Sequence, residues 1–381
     1  MAEKESDIET KEPVKNIPGF SDSDSDSDED FDEYEPLCYA KNPKWSDVVP
    51  VPQYGMSTLA RVTCPIAYDD EYAEKKGYFR GLIAKLDRGE VTLSDPRFHE
   101  IAVDIIDDNP SEYTAWHYLR LYTTANALTL DEYRAELAFV DRVAEESPKN
   151  YQFWVYRESI IENILKRYPE SVKREELATD ELNWCAKLIK DDSKNYHAWD
   201  YRQWVIRYFA TWNFELDYTE FLLDSDLRNN SAWTHRFFVL THEAAAAAAA
   251  KKKEEEEEGK KVEEVKFPKE MVEREIAFAE KYIRKAPASN QSAWTFLAGV
   301  VERSESGRFA DFPAVKKMCL EIEGSCPKSA YCVGMLVDIF DEEGNEVERV
   351  ERINRLVTKL DPVRKNYWEY VLETPKYPKK K

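Results

Sequence analysis

Glycine is scarce in this chain, at 11 of 381 residues. That scarcity, with charged residues at 34% and many Glu, Lys, Leu and Ala, favours helices over strands. Histidine is scarcer still, at five. No HExxH, GxSxG or P-loop run occurs, so the chain carries no self-contained catalytic constellation. The six cysteines (Cys38, Cys64, Cys185, Cys319, Cys326 and Cys332) form no CxxC pair. None stands beside histidine at zinc-finger spacing, so they read as structural free thiols of a reducing compartment. No apolar run is long enough to span a bilayer. The opening residues, MAEKESDIETKEPVK, are acidic and polar, unlike a secretory signal, and the expectation is a cytoplasmic protein.

Positive charge is also in deficit. The 54 basic residues face 75 acidic ones, a net charge of -21. Residues 1–36 hold 14 acidic and 3 basic residues, a net of -11. An acidic chain without a basic stripe excludes nucleic acid as a natural partner, while leaving room for a basic one. The run SDSDSDSDEDFDEYE cannot bury a core, so residues 1–40 read as a disordered tail. Its serines suit phosphorylation or docking; a merely solubilising tail fits as well. Residues 41–376 are expected to be the folded domain, followed by a basic tail at 377–381. At 43% hydrophobic, the chain can bury a large core. Pro50-Val51-Pro52 reads as extended, and Tyr72 to Leu86 as a first amphipathic helix.

What fills the rest is a repeat. Five segments share one pattern: SEYTAWHYLR (111–120), KNYQFWVYRE (149–158), KNYHAWDYRQW (194–204), NNSAWTHRFF (229–238) and NQSAWTFLAG (290–299). PKSAYCVGML (327–336) is a degenerate sixth copy, and KNYWEYVLE (365–373) a last one. The aligned residues Trp116, Trp154, Trp199, Trp233 and Trp294 are 38, 45, 34 and 61 apart. The longest gap holds a low-complexity insertion at 242–266, and the gap of 45 suggests another near 168–180. A unit near 34 residues, with second helices at 131–147 and 180–192, predicts helical hairpins. The fold class is therefore all-α, a solenoid of antiparallel helical hairpins.

Within the motif, Asn or Ser suits a helix N-cap. Trp follows four residues later and Arg three after that, on one helix face. Asn150, Trp154 and Arg157 align in this way, as do Asn195, Trp199 and Arg202, and Asn229, Trp233 and Arg236. The tryptophans should anchor the core, and the arginines should sit in paired networks at the seams, since a buried lone charge is costly. The insertion, seven alanines followed by Lys and Glu runs, predicts a protruding helix or linker that buries no ligand.

Repeated Asn-Tyr-x-x-Trp-x-x-Arg resembles the repeats of protein prenyltransferase α subunits. The upstream order Trp45-Ser46-Asp47, Pro50-Val51-Pro52-Gln53, Pro65-Ile66-Ala67-Tyr68 and Tyr78-Phe79-Arg80 resembles the subunit shared by farnesyltransferase and type I geranylgeranyltransferase. The resemblance covers about residues 43 to 375. It implies that the hairpins form a right-handed superhelical crescent, an α-α superhelix, around a β subunit that holds a catalytic zinc, with no metal ligands in this chain. It further implies transfer of farnesyl or geranylgeranyl from its diphosphate, with Mg2+ at that group, to the cysteine of a CaaX protein.

By the same resemblance, Lys149 supplies positive charge to the departing diphosphate, where charge builds in the transition state. Its place just before a helix start suits anions; without the family pattern it would read as a solvated loop lysine. Lys194 is the rival, and Gln152, which in the family contacts the substrate's carboxylate, favours Lys149. Tyr151, Asn195, Tyr196 and His197 are the further substrate-side residues. Ordinary roles compete for each: interface aromatics, a cap, a structural histidine. Leu119 and Leu297 stand where the motif has Arg, and Glu158 where the family usually has a basic residue. The alternatives are a Rab-type α subunit, which the block at Trp45–Gln53 disfavours, and a TPR-like adaptor.

Overall fold

The computed structural model describes residues 39–53, 66, 68–254 and 265–376, with side chains omitted for 251–254. Nearly all of the expected acidic tail, the basic tail and residues 255–264 of the insertion lie outside the described residues. Two compact units divide the chain, residues 1–81 and 82–381.

In the first unit, 3-10 turns at Tyr39–Lys41 and Pro43–Trp45 precede the start of α1 (Asp70–Asp87). Asn42 caps the second turn by accepting from the Lys44 amide at 3.0 Å, and Pro43 supplies a helical φ at the first position. Trp45 meets the rings of Tyr39 and Tyr78 edge-on at 4.9 and 6.0 Å. The Pro50–Pro52 stretch has no regular structure and runs along α1. The Val51 amide donates to Gly77 O at 2.9 Å, and Arg80 Nε to Val51 O at 2.7 Å. A Cβ on Gly81 would stand 2.4 Å from Val49 O, so this close approach requires glycine.

The second unit is a succession of hairpins. Its helices are α2 (Arg97–Asp108), α3 (Tyr113–Ala125), α4 (Leu130–Glu146), α5 (Gln152–Arg167), α6 (Arg174–Asp191), α7 (Tyr196–Phe209) and α8 (Glu215–Ser225). There follow α9 (Asn230–Glu254), α10 (Lys269–Lys285), α11 (Gln291–Glu302), α12 (Pro313–Ser325), α13 (Ala330–Glu342), α14 (Glu346–Arg355) and α15 (Lys365–Glu373). The fold is all-α, antiparallel hairpins stacked as an α-α superhelix, and no strand occurs among the described residues. Motif helices α3, α5, α7, α9, α11 and α13 alternate with partner helices α4, α6, α8, α10, α12 and α14.

Local chemistry sets the boundaries. Thr129 and Glu132 form a reciprocal capping box at the start of α4. Asn195, Asn290 and Ser329 cap α7, α11 and α13 through their side-chain oxygens. Two expectations shift. The extra length behind the 45-residue spacing falls mostly around 168–180 as expected, but as helix: only six residues separate α5 from α6, and α6 has 18 residues against 11 for α8. The insertion at 242–266 does not start outside the fold. Helix α9 continues unbroken from the motif through the alanines, whose propensity sustains it past Ala244, its last buried residue among the described side chains.

Candidate functional site

The arginines of the motif lie in a buried ladder. Arg157 pairs with Glu181 through Nε at 2.6 Å and Nη2 at 2.9 Å, while its Nη1 meets Asp141 at 2.7 Å. Arg202 pairs likewise with Glu215 at 3.0 and 2.6 Å, and Arg236 with Glu275 at 2.6 and 3.0 Å. Each guanidinium also lies over a ring of the same partner helix: Trp184 at 3.8 Å, Tyr218 at 3.8 Å and Phe278 at 3.5 Å.

The residue before each arginine reaches back to the preceding partner helix. Tyr156 donates to Glu136 at 2.7 Å and Tyr201 to Glu181 at 2.8 Å; His235 Nε2 meets Glu215 at 2.7 Å. These four glutamates, on α4, α6, α8 and α10, escaped sequence reasoning. A signal was present: Glu136, Glu181 and Glu215 each precede their Tyr or His by 20 residues. The ladder ends where the motif departs. Leu119 and Leu297 are buried apolar residues in the arginine position.

Asparagines and tryptophans tie the turns together. Pro110 O accepts from the Trp116 indole N–H at 2.8 Å and from the Asn150 amide of the next repeat. Ser193 O accepts from Trp199 at 3.0 Å and Asn229 at 3.5 Å, and Pro287 O from Trp294 at 3.0 Å and Ser329 at 2.6 Å. Two donors fall out of this pattern: Trp154 Nε1 and Asn290 Nδ2 are buried with no hydrogen-bond partner among the described residues.

The lysine and aromatic residues gather at the start of α5 and α7. Asn195 Nδ2 donates to Pro148 O at 2.9 Å, which fixes the two turns side by side. Its carbonyl oxygen accepts from the His197 and Ala198 amides at 3.0 and 3.5 Å, so most of its bonding capacity serves the fold. Asn150 accepts from the Gln152 amide at 2.9 Å, one residue earlier than the cap assigned to α5. Exposed Tyr151 packs between Tyr113, at 5.3 Å, and the His197 ring, stacked at 6.0 Å; Tyr196 lies edge-on to His197 at 5.5 Å. Lys149 is 81% exposed, with Nζ 3.6 Å from Asp192. Lys149, Tyr151, Gln152, Tyr196 and His197 thus share one edge. Trp154, Trp199 and Trp233 are buried, as are Arg157, Arg202 and Arg236.

Glu158, the departure noted beside Arg157, lies farther along α5. Burial, reinforced by Asp200 and Glu162 and opposed by Arg207, pushes its carboxyl up to about 7. No group of three or more His, Cys, Asp or Glu among the described residues could hold a metal ion, and no helix there is long and apolar enough to cross a membrane.

Comparison with known proteins places this architecture. The protein prenyltransferase alpha subunit repeat matches residues 133–164, 178–209 and 212–243. Each match opens on or just before a glutamate-bearing partner helix and closes on the next motif helix. Over 347 residues the chain is 30% identical to the protein farnesyltransferase/geranylgeranyltransferase type-1 subunit alpha of Dictyostelium discoideum, covering 90% of this chain and 95% of the relative. The Arabidopsis thaliana protein of the same name is 29% identical over 358 residues, covering 89% and 96%. A solved structure of Candida albicans protein geranylgeranyltransferase-I complexed with GGPP superposes with a TM-score of 0.67 at 25% identity, covering 86% of this chain and 97% of that one. The chain belongs to the protein prenyltransferase α-subunit family.

Proposed function

We propose that this chain is the α subunit of a heterodimeric CaaX protein prenyltransferase and is inactive without its β subunit. The observation that carries this is the shared edge: a solvent-accessible lysine, an amide and a row of rings, drawn from two repeats onto neighbouring helix starts. The named relatives and the GGPP-bound neighbour support the substrate class.

In this reading Lys149 meets the diphosphate oxygens as the carbon–oxygen bond to the isoprenoid breaks, and stabilises the charge that develops there. Asp192 holds the free amine near that position at modest cost, since an exposed pair is worth little. Gln152 donates to the substrate's terminal carboxylate. Tyr151, Tyr196 and His197 wall the same edge. Zinc, with its thiolate chemistry, is assigned to the β subunit and Mg2+ to the diphosphate.

The test is farnesyl or geranylgeranyl transfer to a CaaX peptide by this chain co-expressed with a β subunit, beside each chain alone. Activity should appear only in the pair. Lys149→Ala should lower it by about 10²-fold, the scale of losing one transition-state charge contact, while the complex stays intact. Unchanged turnover would remove Lys149 from the chemistry and turn attention to Lys194. Well-folded chains that never associate with the cognate β subunit would end the α-subunit reading.

A further inference from the structure

A cation stands one residue before the cap in four copies of the motif: Lys149, Lys194, Arg228 and Lys328. In two copies the next repeat tethers it. Lys149 lies 3.6 Å from Asp192, and Arg228 Nη2 donates to Ser289 Oγ at 2.9 Å. Lys328, in the sixth copy, has no such tether among the described residues. It lines a cavity of about 450 Å³ with Pro327, Arg355, Lys359 and Leu360.

The lining is cationic by construction. Arg355 closes α14, and Lys359 follows four residues later in the π-helical turn Leu356–Leu360. Glu323 pairs with Arg355 Nη1 at 2.5 Å and with Arg352 Nη2 at 2.7 Å, and Arg352 Nη1 also meets Glu348 at 2.5 Å. Lys328 and Lys359 form no ion pair among the described residues. Among the described residues Arg355 Nη2 has only the Pro327 carbonyl, at 3.5 Å. Arg355 has its carboxylate in Glu323, but Lys328 and Lys359 face the same concavity without one, and an anion offsets that surplus positive charge. Their separate stems suit a ligand with more than one anionic group, while Pro327 and Leu360 give the cavity an apolar wall.

We propose that this cavity binds a diphosphate group, either free or as the head of an organic diphosphate. Lys328 contributes from the start of α13, and Arg355 and Lys359 from the end of α14 and its π turn. The proposal concerns a site in the sixth repeat and stands without the prenyltransfer reading.

The test is calorimetric titration of the full chain carrying Lys149→Ala and Lys194→Ala, which silences the two equivalent lysines of the second and third repeats. Inorganic pyrophosphate and geranyl diphosphate are the probes. Saturable, salt-sensitive binding of at least one is expected. Pyrophosphate binding identifies the free anion as sufficient; binding of geranyl diphosphate alone shows that the apolar wall takes part. Adding Lys328→Gln and Lys359→Gln, which break no ion pair, should weaken binding by about tenfold or more. Arg355→Lys is the second variant, since it keeps the charge toward Glu323 while losing the guanidinium fork. No binding of either probe, or binding that ignores Lys328→Gln and Lys359→Gln in a folded chain, would overturn the proposal.

Discussion

Glu215 is shared: Arg202 grips it with two nitrogens at 3.0 and 2.6 Å from one repeat, and His235 meets it at 2.7 Å from the next. Both partners and the carboxylate are buried. A buried pair adds little over an apolar pair of similar shape, but removing one member strands the other charge. Glu215→Gln should therefore cost about 3–5 kcal/mol, measured by urea unfolding of the chain. A loss below about 1 kcal/mol would show that water reaches Arg202 and that the ladder is not dry.

The same contact sets an acid sensitivity. Desolvation would raise the Glu215 carboxyl, but the bond from His235 and the charge of Arg202 outweigh it and hold it below the usual range. Desolvation lowers His235 against the opposing pull of Glu215. Both folded-state values are depressed, so both stabilising contributions are present at neutral pH and lost on acidification. His235 acts first, as pH falls below its unfolded value of about 6.5, and Glu215 below about 4.3. Melting temperature should fall between pH 7.5 and 5.5, and fall less in His235→Gln. Parallel profiles for the two proteins would assign that sensitivity elsewhere.

Much of this was legible in the sequence, and the reason is periodic. Trp and Arg recur at fixed offsets because they sit within one helix, so the motif helices and hairpins could be read directly. The glutamates lie on partner helices, and their distance to the arginine varies, 24 residues from Arg157 to Glu181 but 13 from Arg202 to Glu215. The bond from each glutamate to the Tyr or His 20 residues on keeps one spacing, which marks partner helix plus following motif helix as the constant unit. The edge formed by Lys149, Tyr151 and His197 rested on family resemblance. No spacing brings Tyr151 and His197, 46 residues apart, together until Asn195 is seen bonded to Pro148 O. The cavity at Lys328 was hidden because Arg355 and Lys359 belong to no repeat motif.

Glu158 is ionised at a cost. Burial first, then Asp200 and Glu162, raise its carboxyl to about 7. A raised folded value contributes stability at low pH that is lost as pH rises through it. Glu158→Gln should therefore melt higher than wild type at pH 8, by about 1–3 °C after allowing for partial exposure, and about the same at pH 4, below the unfolded carboxyl value of about 4.3. A gain of equal size at both pH values would point to packing instead of charge.

Asn195 does two jobs that substitution can separate. Its oxygen caps α7 and its nitrogen ties that cap to Pro148 O. Asn195→Asp keeps the acceptor and loses the tie, for an expected cost of about 1 kcal/mol. Asn195→Ala loses both, for about 2 kcal/mol. Equal losses in denaturant unfolding would mean that the tie between repeats contributes nothing and the cap carries the whole effect.

The tryptophans offer an internal control, because two of them occupy equivalent positions with different hydrogen bonding. Trp199 donates to Ser193 O at 3.0 Å, whereas Trp154 Nε1 is buried with no partner among the described residues. Both indoles are buried, and both pack on rings of the partner helix and the next motif helix: Trp154 on Trp184 and Tyr201, Trp199 on Tyr218 and His235. Phenylalanine removes similar volume from each. At Trp199 it also removes a satisfied donor and leaves a carbonyl with one bond fewer; at Trp154 it removes a donor whose burial was already a cost. Trp199→Phe should therefore destabilise by about 1–2 kcal/mol more than Trp154→Phe. The reverse order would mean that Trp154 recovers its bond in solution, with Pro148 O, six residues earlier, as the acceptor that the other repeats use.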